Sequence, residues 1–322
     1  MTGVRKFSRA EATAYGFLTV TLVFCLLPFV WVVLASVDPN AALFLSLPKA
    51  ITADHFVKIF TAENGGRWFF NSLVTVGATT ALVIIVGGMG GYALSRTNAW
   101  WKRPFLYAII LVRVLPPTAL IVPLYKVMLI SNGVMDALVR SIVPPDSIRS
   151  AMQIFGFVDG YLGLILVLSA MQLPLALWII KTFFDLTPKD YEEAALMDGA
   201  NVFQRIRRIL VPLALPGLGA AGLLTFIGAW GDFLMPLTFI SSSNLQLLPI
   251  GLFRAFQRAN TIDYGYLSAL ALLYMLPAVV AFGLARRFLV QTFAGGIKGE
   301  KWPPSQSKTC AKIMARSKSS RV

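Results

Sequence analysis

Long apolar stretches separated by short polar and charged segments dominate the sequence. Six of them reach about 20 residues or more, the length that an α-helix needs to cross the hydrocarbon core of a bilayer. They cover residues 15–37, 69–94, 105–130, 161–184, 209–240 and 264–282. Because lipid offers no hydrogen bonds to backbone groups, we expect each stretch to form a membrane-spanning helix. The sequence therefore predicts an all-α integral membrane protein with six spans.

Prolines and glycines within these stretches predict how the helices pack. The third stretch is interrupted by Arg113 and by prolines that include Pro116 and Pro117, and the last three stretches also contain prolines. Proline breaks the helical hydrogen-bond ladder, so we expect these helices to be kinked. Four glycines near the end of the second stretch predict close approach of another helix; they are Gly87, Gly88, Gly90 and Gly91.

Composition supports the membrane class and excludes several alternatives. Only 14% of residues are charged, against about 25% in ordinary soluble domains. The net charge of +14 does not indicate nucleic-acid binding, because the basic residues lie between apolar stretches and in the tail. Cys25 lies inside an apolar stretch and Cys310 in the basic tail, so we expect no disulfide framework, and a CxxC motif is absent from the sequence. The single histidine, His55, argues against a histidine-based metal site or catalytic triad.

The basic residues between the stretches predict the orientation. With the N-terminus inside, 19 Lys and Arg residues lie in cytoplasmic segments and 7 in external ones. The positive-inside rule then places both termini in the cytoplasm, in agreement with an even number of spans. The longest external segments, 38–68 and 131–160, contain turn residues and a few apolar ones. We predict short interfacial helices there, and disorder in the Ser-rich basic tail.

The segment 188–212, between the fourth and fifth stretches, has the pattern of two short helices joined by a turn. Asp190, Glu192 and Glu193 would lie at a helix start, where acidic side chains favour the positive end of the dipole. Gly199 would close that helix, and Asn201 would cap the next one. On this physical basis alone, the segment is a compact helix-turn-helix on the cytoplasmic face. Ordinary connecting loops of membrane proteins also have this structure, so the pattern by itself does not indicate a function.

The spacing within this segment resembles the EAA loop of binding-protein-dependent ABC importer permeases. Glu193-Ala194-Ala195 is followed after three residues by Gly199, and after nine more by Ile209-x-Val211-Pro212. Four further segments resemble motifs of the same family, in particular of its maltose-transporter-like carbohydrate permeases. They are Phe70-Asn71-Ser72-Leu73, Gly91-Tyr92-Ala93-Leu94-Ser95-Arg96, Trp230-Gly231-Asp232-Phe233 and Gly296-Ile297-Lys298-Gly299. The resemblance covers about residues 15–299.

The resemblance implies a type I importer permease fold and a division of the chain along it. Residues 1–14 would be a cytoplasmic N-terminus, and 15–68 the first spanning helix with an external segment. Residues 69–290 would be the permease core containing the loop 188–212, and 291–322 a cytoplasmic basic tail. The chain would lie in the cell membrane of a bacterium or archaeon, the inner membrane where there are two.

The resemblance also implies partners and a coupling surface. The partners would be a second permease subunit, a dimer of ATPase subunits and an external solute-binding protein that delivers a carbohydrate. The coupling residues would be Glu193, Ala194, Ala195, Asp198, Gly199, Ile209 and Pro212. The chain has no G-x-x-x-x-G-K-[ST] phosphate loop. We therefore expect no cofactor and no ATPase activity in this chain, with ATP and magnesium bound by the partner.

Three residues in the spans are candidates for the solute path: Arg113, Trp230 and Asp232. A charge at bilayer depth costs about 2.5–3.5 kcal/mol on insertion scales, so Arg113 should face a cavity or a partner. It could line the path, snorkel to an interface, or form a structural ion pair with Asp232. Asp232 could bond sugar hydroxyls with Trp230 stacking on the ring, or both could be structural.

Two other functions remain open on the sequence. One is an ABC permease for a solute other than a sugar. The other is a self-sufficient secondary transporter driven by an ion gradient, although Asp232 is the only acidic residue well inside a predicted span. The basic tail could contact anionic lipid headgroups or be simply solvated.

Overall fold

The computed structural model describes residues 9–44, 47–61, 64–257 and 262–297, and gives only the helical backbone at 9, 10, 12 and 287–297. Every regular element in this part of the chain is a helix. The first seven α-helices are α1 (Arg9–Val37), α2 (Asp54–Thr61), α3 (Gly65–Arg96), α4 (Lys102–Val112), α5 (Pro117–Ile142), α6 (Ile148–Phe155) and α7 (Tyr161–Leu186). The remaining six are α8 (Asp190–Met197), α9 (Val202–Arg205), α10 (Val211–Trp230), α11 (Leu234–Phe239), α12 (Leu248–Phe256) and α13 (Tyr264–Ile297).

Six helical segments in the described residues are long and apolar enough to cross a bilayer, which confirms the predicted number of spans. They are Thr13–Val37, Gly65–Arg96, Pro117–Ile142, Tyr161–Leu186, Val202–Trp230 and Tyr264–Arg286. Short helices do form in the two segments predicted to be external, as α2 and α6, and their position at a membrane interface stays a prediction. Residues 1–8 and the basic tail from residue 298, with Cys310 and the last two residues of the Gly296–Gly299 motif, lie outside the described residues.

The third predicted span was placed wrongly. The stretch 105–130 is not one helix, because α4 ends at Val112 and α5 begins at Pro117. Proline disfavours helical geometry in the residue before it, and Pro116 accordingly adopts an extended backbone with ψ 135°. The long apolar helix is α5, so residues 131–142, expected in an external segment, are helical.

The fifth and sixth predicted spans were wrong at their C-terminal ends. The stretch 209–240 breaks after Trp230, and a separate short helix, α11, starts at Leu234. The Asp232 carboxylate accepts a hydrogen bond from the Met235 amide at 3.0 Å, which caps the new helix start. The sixth helix, α13, continues beyond residue 282 to Ile297.

Helices α3 and α7 form the centre of the bundle and run parallel in register. Near one end the Tyr161 hydroxyl donates to Asn71 Oδ1 at 2.6 Å, and near the other the Ser95 hydroxyl donates to Asp185 Oδ1 at 2.7 Å. The predicted close approach at the α3 glycines is confirmed, because a Cβ on Gly91 would lie 3.1 Å from the Lys181 backbone nitrogen. Small residues therefore let the two backbones meet.

Helix α10 packs across this pair and connects it to α13, while α1 lies along α13. The α10–α7 contact is tight: a Cβ on Gly217 would lie 2.2 Å from the Phe183 ring. Helix α1 exposes side chains along most of its length, including Phe17 and Phe24. An apolar helix face of that kind faces lipid or another membrane subunit.

Candidate functional site

The segment between α7 and α10 folds as the sequence predicts. Helix α8 begins with its three acidic residues in the first turn. Gly199 follows with φ +76°, a left-handed conformation that glycine adopts without strain. Asn201 then caps α9: its side chain accepts from the Gln204 amide at 2.8 Å, and the Gln204 side chain accepts from the Asn201 amide at 3.0 Å. A π-helical turn, Ile206–Leu210, leads from α9 directly into α10.

A buried ion pair fixes α8 to the ends of α3 and α7. The Arg96 guanidinium donates through Nε to Glu192 Oε1 at 2.5 Å, and the Tyr92 hydroxyl donates to Glu192 Oε2 at 3.0 Å. Arg96 also donates to the backbone carbonyls of Phe184 and Thr187, at 3.1 and 3.3 Å. Arg96 therefore joins three helices at one point.

Sequence reasoning did not identify Glu192 as the buried member of the acidic group. Glu192 is only 7% exposed, whereas the neighbouring Glu193 is exposed. The available signal was Arg96 at the end of a span, one turn after Tyr92, because a cation and a hydroxyl at i and i+4 lie on the same helix face and need an anion. The sequence does not state which carboxylate supplies it.

The predicted coupling residues fall into an exposed and a buried set. Glu193, Ala194, Asp198, Gly199 and Pro212 are exposed, and Ile209 is partly buried. Ala195 is buried on the side of α8 that packs against the helix bundle, so it is not available on the outer surface in this conformation. Around the exposed set lie apolar side chains that the sequence analysis did not single out: Tyr191, Leu196, Met197, Val202 and Phe203. Exposed apolar side chains in such a cluster mark an interaction surface.

A second feature is a cavity of about 290 Å³ between the α4–α5 break, α7 and the end of α10. Three polar side chains line it, Arg113, Gln172 and Asp232, among mostly apolar neighbours. Arg113 Nη2 donates to Gln172 Oε1 at 2.9 Å. Arg113 itself is exposed, whereas Gln172 is buried. Within an apolar bundle, ionisable side chains face the bundle interior or a water-filled cavity.

The ion pair considered for Arg113 and Asp232 does not form among the described side chains. Arg113 bonds to Gln172 instead, and the Asp232 carboxylate accepts from the Met235 amide. Gln172 was missed by sequence reasoning. Its signal was a lone amide side chain in the apolar run of α7, which in a membrane needs a partner.

Trp230 lies in the core and not in this cavity. Its side chain is 4% exposed, and its indole nitrogen donates to the Tyr274 carbonyl at 2.9 Å. Its ring stacks on those of Phe226 and Tyr274, with centroids 5.6 and 5.8 Å away. The Tyr274 hydroxyl in turn donates to the Trp230 carbonyl at 2.8 Å. This geometry favours a structural role, joining α10 to α13, over stacking on a sugar ring.

No group of three or more His, Cys, Asp and Glu side chains comes together in the described part of the chain. His55 lies between the Asp38 carbonyl, 3.1 Å from Nε2, and the Asp263 carboxylate. It therefore connects the end of α1 to the start of α13.

Comparison with known proteins identifies a family that matches most of this architecture. Residues 87–291, from the end of α3 through α13, match the family described as binding-protein-dependent transport system inner membrane component. The chain belongs to this family. The matched range contains the whole α8–α9 segment and all the residues that line the polar cavity.

Relatives in this permease family cover most of the chain. The inner membrane ABC transporter permease protein YcjP of Escherichia coli is 32% identical, over 79% of this chain and 82% of that protein. The sulfoquinovosyl glycerol transport system permease protein SmoH of Agrobacterium fabrum is 27% identical, over 92% and 97%. The trehalose transport system permease protein SugB of Mycobacterium tuberculosis is 28% identical, over 87% and 95%.

A solved permease shares the fold. A chain from the crystal structure of a bacterial ABC transporter involved in import of the acidic polysaccharide alginate superposes with a TM-score of 0.70. It is 18% identical, and the match covers 88% of this chain and 99% of that one. The protein is therefore a multi-pass membrane permease, a transport component with the importer permease fold.

Proposed function

We propose that this chain is one permease subunit of an ATP-driven importer that moves a carbohydrate across the cell membrane. The carbohydrate would be an oligosaccharide, disaccharide or polyol. The observation that carries the proposal is the α8–α9 surface: an exposed apolar cluster held against the bundle by the Arg96–Glu192 pair. A transporter that used only an ion gradient would not need such a surface beside its bundle.

ATP hydrolysis belongs to partner subunits in this proposal. The chain carries no phosphate-binding loop, so ATP and magnesium would bind to a dimer of ATPases on the cytoplasmic side. Glu193, Ala194, Asp198 and Gly199 would contact one of these subunits, together with the exposed Met197. The apolar cluster would supply the buried core of that contact and the acidic residues its rim.

The buried ion pair explains how motion would pass from the ATPase to the spans. A displacement of α8 pulls on Glu192, and Arg96 transfers it to the ends of α3 and α7 through the Phe184 and Thr187 carbonyls. The π-helical turn joins the same segment to α10 without a flexible linker. The three helices would then move as rigid elements between two packing arrangements, as alternating access requires.

The polar cavity would form this subunit's part of the solute path. Arg113 and Gln172 offer N–H donors, and Asp232 and Gln172 offer acceptors. This mixture suits the hydroxyl groups of a carbohydrate. Relatives named as permeases for trehalose, diacetylchitobiose and maltodextrin support the same solute class. A second permease subunit would complete the path, and an external solute-binding protein would deliver the solute.

The orientation follows from the charge distribution. Both termini and the α8–α9 segment would face the cytoplasm, because the basic segments lie on that side. The α2 and α6 helices would face the outside, where the solute-binding protein docks. The membrane would be that of a bacterial or archaeal cell, the inner one where two are present.

Reconstitution tests this function directly. The chain, its partner permease and its ATPase are placed in proteoliposomes, and uptake of radiolabelled disaccharides is measured with the solute-binding protein on the outside. We expect uptake that requires ATP inside the vesicle and persists when ionophores collapse ion gradients. Uptake that follows an imposed ion gradient without any ATPase would instead support the secondary-transporter alternative.

A further inference from the structure

A basic cavity lies at the end of the bundle that carries α8, away from the α8–α9 surface itself. It has a volume of about 550 Å³ and is bounded by the turn after α3, the start of α4 and the last turns of α7. Three cationic side chains line it, Lys102, Arg103 and Lys181, with Trp100 at its edge. Neither the coupling surface nor the polar cavity of the solute path uses these residues.

The charges in this cavity are only partly compensated. The Lys181 ammonium pairs with the Asp185 carboxylate, which also accepts from Ser95. Among the described residues, the Lys102 ammonium makes one hydrogen bond, to the Ser95 carbonyl at 3.5 Å. Arg103 is exposed, and among the described residues its guanidinium makes no ion pair. Three cations thus face a single carboxylate, which leaves the cavity ready to accept an anion.

The surroundings place this cavity at a membrane surface. Helix α3, one of the six candidate spans, ends at Arg96, and Trp100 follows, 88% exposed. Exposed tryptophans beside a span lie at the level of lipid headgroups. Helix α4, which starts at the cavity, buries none of its residues and exposes Phe105 and Tyr107. An apolar surface for acyl chains therefore adjoins a basic cavity for a headgroup.

We propose that this cavity binds the phosphate headgroup of an anionic phospholipid, with the acyl chains lying along α4. Basic cavities between spanning helices on the cytoplasmic side are suited to such headgroups. The assignment of the cavity to the cytoplasmic leaflet rests on the orientation given under the proposed function, whereas the binding itself does not depend on transport. A bound lipid would fix the α3–α4 turn beside Arg96, and so the base of the coupling segment.

Lipid binding to the purified full-length chain in detergent tests the proposal. Native mass spectrometry compares phosphatidylglycerol with phosphatidylcholine of the same acyl chains. We expect phosphatidylglycerol to bind more tightly, and added salt to weaken it. The double variant Lys102→Gln/Arg103→Gln should weaken its binding roughly 30-fold, because each Lys or Arg near an anionic lipid contributes about 1 kcal/mol and each 1.4 kcal/mol is tenfold.

Two controls make the result specific. The variant Lys49→Gln/Arg149→Gln removes the same charge from exposed positions outside the cavity and should keep wild-type binding. The variant Lys102→Arg/Arg103→Lys keeps the charges and should also bind, which separates charge from folding. Equal losses in the two Gln double variants, or equal binding of the two lipids, would overturn the proposal. Displacement of the lipid by millimolar inorganic phosphate would overturn the lipid assignment in favour of a free anion.

Discussion

Replacement of Glu192 by glutamine tests the link between α8 and the bundle. Glutamine has the shape of glutamate but no charge, so it leaves the Arg96 guanidinium without its anion in a mostly buried position. The two side chains are 10% and 17% exposed, well away from bulk solvent. Breaking a buried pair by removing one partner costs about 3–5 kcal/mol, and hydrogen bonds to charged groups contribute about 1.5–3 kcal/mol.

The expected loss lies below the first of these ranges and within the second. The glutamine oxygen can still accept from Arg96, and Arg96 keeps its bonds to the Phe184 and Thr187 carbonyls. We therefore expect Glu192→Gln to lower the free energy of unfolding by about 2–3 kcal/mol. Glu193→Gln, on the exposed side of the same helix, should change it by less than about 0.5 kcal/mol.

A double-mutant cycle isolates the pair. Unfolding is followed by denaturant titration in mixed micelles for Glu192→Gln, Arg96→Gln and the double variant. Because the residues are in direct contact, we expect a coupling free energy of about 1–3 kcal/mol. In the assembled transporter, Glu192→Gln should also lower uptake more than ATP hydrolysis, since it weakens transmission and not the ATPase. Additive losses, or equal effects of Glu192→Gln and Glu193→Gln, would refute the anchoring role.

Three further predictions address the turn, the cavity and an external cluster. Gly199→Ala should destabilise the folded protein by about 1 kcal/mol, because alanine is strained in the left-handed region. Gly133→Ala in α5 should not destabilise it, because a Cβ there meets nothing within 4 Å. Thermal unfolding compares the two variants. Gln172→Leu should reduce solute uptake at least tenfold while ATP hydrolysis continues, because it removes the Arg113 partner; normal uptake would place the solute path elsewhere. Burial opposes ionisation of Asp263, but the hydrogen bonds from the Tyr266 amide and the Lys58 ammonium outweigh burial and hold the pKa of Asp263 below its ordinary value. The ionised carboxylate should therefore stabilise the fold fully above about pH 3.9, and this stabilisation should vanish as the pH falls through the lower folded pKa. We expect the melting temperatures of wild type and Asp263→Asn to converge only in acid.

The number of spans was predictable because each apolar run is long enough to identify a helix by itself. Helix breaks inside a run were not, since hydropathy averages over them. The residues Gly231–Phe233 lie in a continuous apolar stretch, yet the chain turns there and Asp232 caps α11. Pro116 and Pro117 signalled the other break, but the 26-residue stretch 105–130 around them is also long enough to span a bilayer as one helix.

The local structure of the coupling segment was predictable, and its attachment was not. Capping by Asn201 and the turn at Gly199 depend on residues within a few positions of each other. Burial of Glu192 in place of Glu193 depends on Arg96, almost a hundred positions earlier. The same holds for Gln172 and Arg113, whose contact exists only once α7 packs against the α4–α5 break.

Copurification tests most directly whether the exposed α8–α9 surface binds a cytoplasmic ATPase. Met197, one of the residues of the apolar cluster, is 88% exposed, and Leu43, in the segment after α1, is 62% exposed. The affinity-tagged chain is coexpressed with its partners, and the ATPase retained by wild type, Met197→Asp and Leu43→Asp is quantified. We expect wild type and Leu43→Asp to retain the ATPase. For Met197→Asp the retained ATPase should fall at least tenfold, with membrane insertion of the permease unchanged. Equal retention of the ATPase by all three would contradict binding through the α8–α9 surface.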